Sequence, residues 1–175
     1  MRTESAIRCR RGLWDWPAQP TALFGGVYGL LVSSSAVAAL TQFGEVTRAA
    51  RMDDAVWVLF TALASALAHG YAHQIARRDA QGHPGIRGVV RAGLAEWPLV
   101  VAALPTTLLL WGAGLGWWHS TGIEYVAFGT NTVLLLGWGL LVSRAAGRTW
   151  GRAVRIGGTD ALLGVAVALV STLLK

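Results

Sequence analysis

Two histidines four residues apart, His69 and His73, occupy the second of five long apolar segments in a chain of 175 residues. On a helix that spacing projects both imidazoles from one face, a turn apart. Neutral imidazole is a good ligand for borderline divalent metals and titrates near neutral pH, so the pair has the chemistry to hold a cation or pass a proton. Glu96 and Asp160 lie near the starts of the third and fifth apolar segments. Those segments run opposite to the second, so both carboxylates are expected at the depth of the histidines. Tyr28, on the first segment, joins the same layer. Two imidazoles with one or two carboxylates form a ligand set for zinc, iron or manganese. An ionisable group in hydrocarbon costs roughly 2.5–3.5 kcal/mol on insertion scales, which makes each of these residues a functional candidate. A shared depth is predicted for them, not contact, and each has a structural reading as well. Glu96 before Trp97-Pro98 and Asp160 after Gly157-Gly158 both suit helix starts; His73 can reach interfacial water beside Gln74, and a hydrogen bond can satisfy His69.

The elements that must position these groups are membrane spans. With 54% apolar and 14% charged residues, the chain has too little polar surface to cover a soluble globule, and its apolar runs approach bilayer thickness. The expected architecture is an all-α integral membrane protein with a single domain over residues 1–175. Its spans are predicted at about 21–43, 54–76, 96–117, 122–143 and 157–174, after a basic leader over 1–20; the last is short for a crossing helix and either begins further back or sits where neighbouring helices thin the bilayer. The 15 basic residues are sorted between alternate gaps. Arg2, Arg8, Arg10, Arg11, Arg77, Arg78, Arg87, Arg91, Arg144, Arg148, Arg152 and Arg155 fall on one side; Arg48, Arg51 and Lys175 fall on the other. Loops rich in arginine stay in the cytoplasm, so a multi-pass protein of the cell membrane is expected, amino end inside and carboxyl end outside.

The formal charge of +6 and pI near 10.7 belong to short loops beside apolar spans. They point to anionic lipid headgroups as partners, not to nucleic acid. Arg144 to Ile156 reads as an amphipathic stretch on the inner leaflet. Arg87 and Arg91, after the turn Gln81-Gly82-His83-Pro84-Gly85, suggest a short interfacial helix. Gly25, Gly29 and Ser33 make a small-residue stripe that fits another helix of the same chain or a second copy in a homodimer. Ser33, Ser34 and Ser35, and Thr130, Asn131 and Thr132, are expected to form hydrogen bonds between helices, while His119 and Glu124 are expected to be solvated at the outer surface. The single Cys9 excludes an intrachain disulfide. Four histidines are too few for a di-iron membrane oxygenase, and no nucleophile elbow, phosphate loop or Cys-x-x-Cys is present. An enzyme is the less favoured class.

The stretch Ala62 to Asp79, ALASALAHGYAHQIARRD, resembles the second helix of the vacuolar iron transporter family, with an alanine- and glycine-rich run ending in Gly-Tyr and a polar basic stretch. The run FGGVYGLLVSSSAVAAL from Phe24 is similar in texture to that family's first helix, and Arg155 to Lys175 to its last. The resemblance implies five spans and a dimer. The family's aspartate in helix one and glutamate in helix two are missing, so His69 and His73 would stand as the polar groups in their place. The gap from Arg77 to Ala95 is short and basic, where family members often carry an acidic helical insert. Together these readings give a transporter-like protein moving a divalent cation, coupled to protons, through His69, His73, Glu96 and Asp160. The alternative is a non-transporting accessory subunit that binds a partner through small-residue helix faces.

Overall fold

The computed structural model describes residues 20–43, 47–76, 86–119 and 121–173, which are all helix and turn, with no strand among them. The helices are α1 (Pro20–Phe43), α2 (Arg48–Ala76), α3 (Ile86–Ala95), α4 (Trp97–Leu115), α5 (Ile123–Ala145) and α6 (Trp150–Leu173). All but α3 are long and apolar enough to cross a membrane. The first 19 residues of the basic leader, the pair Arg77 and Arg78 and the Gln81–Gly85 turn lie outside the described residues.

Local chemistry sets the helix ends. Thr47 starts α2: its hydroxyl accepts from Ala50 N at 3.1 Å, the usual way a threonine satisfies an orphan amide. Gly116 (φ 80°) closes α4 and Gly147 (φ 71°) closes the turn after α5. In each turn the glycine amide reaches back three residues and the next amide five, which satisfies the last carbonyls. Pro98 has no amide to offer Leu94, so the helix that begins at Ile86 breaks at Glu96 and restarts as α4.

Helix α1 is the hub and touches α2, α4, α5 and α6, while α2 packs on α4, and α6 packs mainly on α5. Gly25 and Gly29 let the α1 backbone approach α4 at Pro98, Leu99 and Ala102, where a Cβ on Gly29 would collide with the Leu99 carbonyl oxygen. Ser33 is fully buried and donates to Gly29 O. Of the two partners open to this stripe, another helix of the same chain or a second copy, α4 of the same chain packs on it at Gly25 and Gly29. Gly139 and Gly157 bring α5 and α6 equally close: a Cβ on Gly139 would lie 2.6 Å from Gly157 Cα. Asn131, fully buried on α5, accepts from Thr106 Oγ1 of α4 and donates to Ser34 Oγ of α1, both at 2.9 Å. This one amide ties three helices together.

Two expectations about helix starts change. Helix α2 begins at Arg48, six residues before the predicted span, because Thr47 caps it and Arg51 finds partners. Arg51 is 2% exposed, and its guanidinium meets Asp54 at 3.1 Å and Glu124 at 3.3 Å. Glu124, expected in solvent, is buried in this cluster. Helix α6 begins at Trp150 instead of 157, so Gly157-Gly158 is helix interior and not a helix start. The stretch from Arg144 to Ile156 is accordingly the end of α5, a tight turn and the first turns of α6. Helix α3 forms beyond the predicted turn, but packs along α2, with Gly93 against Leu67 and Gln74 Nε2 donating to Gly88 O at 2.9 Å.

Candidate metal centre at the broken helix

The bundle brings the last turns of α2 against the break between α3 and α4. His69 and His73, one turn apart on α2, place their Nε2 atoms 3.0 Å from each other. Glu96 stands in the break, where its backbone leaves the helical path under the constraint of Pro98. One ligand atom from each of His69, His73 and Glu96 lies within 4.8 Å of the others. Donors arranged tetrahedrally about 2.1 Å from a shared ion sit about 3.4 Å apart. The most distant pair would have to close by no more than about 1.4 Å, which a carboxylate torsion can supply.

The burial of the three differs in a useful way. Glu96 is 4% exposed and its Oε2 has no hydrogen-bond partner. It occupies the N-cap position of α4, as its place before Trp97-Pro98 leads one to expect, but its side chain makes no capping bond. A buried carboxylate oxygen without a partner is costly, and a cation or proton is what relieves it. His69 is half-buried and His73 exposed, leaving a route to the site from its outer side. The two imidazoles share one hydrogen bond, one ring donating and the other accepting. A cation held by both Nε2 lone pairs would take the place of that hydrogen.

The remaining candidates divide. Tyr28 joins as part of a ring stack: Phe24 lies 4.5 Å from the His69 ring, nearly parallel, and Tyr28 is 5.2 Å from Phe24 and 6.3 Å from His69. Phe24 was not singled out from the sequence, although its i,i+4 spacing to Tyr28 puts both on one face of α1. Asp160 does not join. It sits ten residues into α6, half-buried, with Oδ2 against Gly139 in the α5–α6 seam, and it is not part of the three-residue cluster. Its expected place beside the histidines followed from starting the last span at residue 157. The buried cluster of Arg51, Asp54 and Glu124 lies toward the opposite end of α2, and nothing in the sequence pattern marked it beyond an arginine near an apolar run. Set beside known proteins, the chain matches no family model, no curated protein and no solved structure, so its site has to be read from its own geometry.

Proposed function

We propose that this is a transporter-like membrane protein that takes a divalent transition-metal cation at His69, His73 and Glu96. The observation that carries the reading is the convergence of two imidazole nitrogens and a buried carboxylate oxygen that lacks any other partner. Imidazole with one carboxylate favours zinc, iron or manganese over calcium and magnesium, which prefer all-oxygen cages. The break between α3 and α4 stands at the start of the span Trp97–Leu115, which sets the Glu96 carboxylate beside the histidines at one end of the bundle. The arginine sorting favours a cytoplasmic position for this end of the bundle. The loose likeness of α1 and α2 to the vacuolar iron transporter family points the same way. Asp160 is left out of the ligand set.

The test is uptake of Zn2+, Mn2+ and Fe2+ into proteoliposomes holding the full chain, with His69→Ala and Glu96→Gln beside the wild type. Uptake by the wild type that both variants lose supports the reading; equal uptake in all three, or none in any, removes it. An accessory-subunit reading draws on a different observation, an open groove of about 420 Å3 between α1 and α6 lined by Ser35, Ala38, Ala39, Ala166, Val167 and Ser171. Small residues of this kind suit a partner helix. A stoichiometric membrane partner lost on Ala39→Leu, together with unchanged metal content, would favour it.

A further inference from the structure

The turn between α5 and α6 carries Arg144, Arg148, Arg152 and Arg155, and the first acidic residue after them is Asp160. All four side chains are exposed. The salt bridges of the described residues both belong to Arg51, so no described carboxylate lies within ion-pair distance of these four. Arg144 is occupied locally: its guanidinium lies 4.6 Å from the centroid of the Trp150 ring and its Nη1 donates to Arg148 O at 2.9 Å. That contact and the left-handed Gly147 fix the turn, since Gly147 N reaches Arg144 O at 2.9 Å and Arg148 N reaches Ser143 O at 3.0 Å.

Arg148, Arg152 and Arg155 then follow at intervals of four and three. Ala153 and Gly157, which are buried, face the other way, with Gly157 against Leu136 and Leu140 of α5. Three exposed guanidiniums of like sign thus lie close in sequence, one on the turn and two on the first turns of α6, without a described anionic partner and at the amino end of a helix whose dipole adds further positive potential. A planar guanidinium matches phosphate oxygens in pairs. The setting selects the kind of phosphate. Trp150 is 64% exposed and Val154 55% exposed beside the arginines, and below them α6 presents Leu162, Leu163 and Leu169 outward. An indole and an apolar helix face under a basic cluster match the order of headgroup and acyl chain in a lipid leaflet.

We propose that Arg148, Arg152 and Arg155 form a binding site for the phosphate of an anionic phospholipid, with Trp150 packing at the headgroup boundary. The site is separate from the metal centre, and its test does not depend on metal. The purified full chain in detergent is given equimolar phosphatidylglycerol and phosphatidylcholine of identical acyl chains, and retained lipid is counted by native mass spectrometry. The wild type is expected to retain phosphatidylglycerol over phosphatidylcholine by on the order of tenfold. The triple variant Arg148→Gln, Arg152→Gln, Arg155→Gln is expected to lose that preference, while Arg48→Gln, on the first turn of α2, keeps it. The singles Arg152→Gln and Arg155→Gln, expected to reduce the preference at least about twofold each, decide the matter if the triple variant does not fold. Equal retention of the two lipids by the wild type, or an unchanged preference in the arginine variants, overturns the proposal. Inorganic phosphate at millimolar concentration that displaces the lipid completely would assign the site to a free anion, and overturns it equally.

Discussion

Glu96 is the residue on which the proposed metal centre turns, because it alone of the three proposed ligands is both anionic and deeply buried. Glu96→Gln keeps the shape but removes the charge that would neutralise a divalent ion. Zinc affinity, measured by equilibrium dialysis on the detergent-purified chain, is expected to fall at least about tenfold. Asp160→Asn is expected to leave it unchanged, since Asp160 faces Gly139 in another seam; equal losses in the two variants would mean that the cluster is not the site. At the other end of α2, Arg51 offers a sharper stability experiment. Its guanidinium is buried against Asp54 and Glu124, so Arg51→Met removes the positive charge that both carboxylates meet there. A destabilisation of about 3–5 kcal/mol is expected in thermal or denaturant unfolding. The double variant Arg51→Met, Glu124→Leu should recover much of it, because the pair as a whole gains little over apolar packing in its place. If the double variant is no better than the single, the pair is not coupled as its geometry implies.

At the scale of elements, close helix contacts are set by a few glycines, and these differ in what they tolerate. Gly29→Val would drive a side chain into the Leu99 carbonyl and push α1 from α4. Because α1 carries Phe24 and α4 begins beside Glu96, both stability and zinc affinity should drop, the former by about 1–3 kcal/mol. Gly137→Ala, where a Cβ meets nothing within 4 Å, should change neither; a loss there equal to that of Gly29→Val would show that the contacts of α1 and α4 are not what hold the site. This contrast also shows where the sequence was readable and where it was not. The i,i+4 pair on α2 and the run of small residues on α1 follow from helical period alone, and so did five apolar helices. The starts of α2 and α6 did not, because Arg51 looks like a loop residue until tertiary structure supplies its partners, and the amphipathic stretch through Arg152 and Arg155 gives no sign that it runs unbroken into the last span. Taking 157 and not an earlier residue as the start of the last span carried Asp160 into the predicted site. Phe24 stacking on His69 and Glu124 meeting Arg51 are contacts between segments distant in sequence, and residue spacing within one segment carries no record of them.

For the whole molecule, the deciding quantity is which ends of the helices share a side. Helices α2 and α4 are neighbours, with His69 and His73 near the end of one and Glu96 at the start of the other, so the proposed metal centre and the α3 break occupy one end of the bundle. The turn at Ala146–Thr149 follows α5, which runs back from the Arg51–Glu124 end, so the arginine cluster belongs to the same end as the metal centre. Trp117, Trp118 and His119, after α4, belong to the opposite end with Glu124. If the five long helices cross the bilayer, a reagent that cannot pass the membrane must reach one set and not the other. The experiment replaces Cys9, the only native thiol, by serine and introduces His119→Cys or Thr149→Cys, both at exposed positions. A membrane-impermeant maleimide applied to intact cells is expected to label the variant at 119, and to label the one at 149 only after the membrane is opened, as the arginine sorting requires. Labelling at 149 alone in intact cells would keep the five spans but reverse the orientation, and would move the proposed capture of metal to the outer face. Labelling of both from one side would mean that α5 does not cross, and with it the common depth of metal centre and basic turn would be lost.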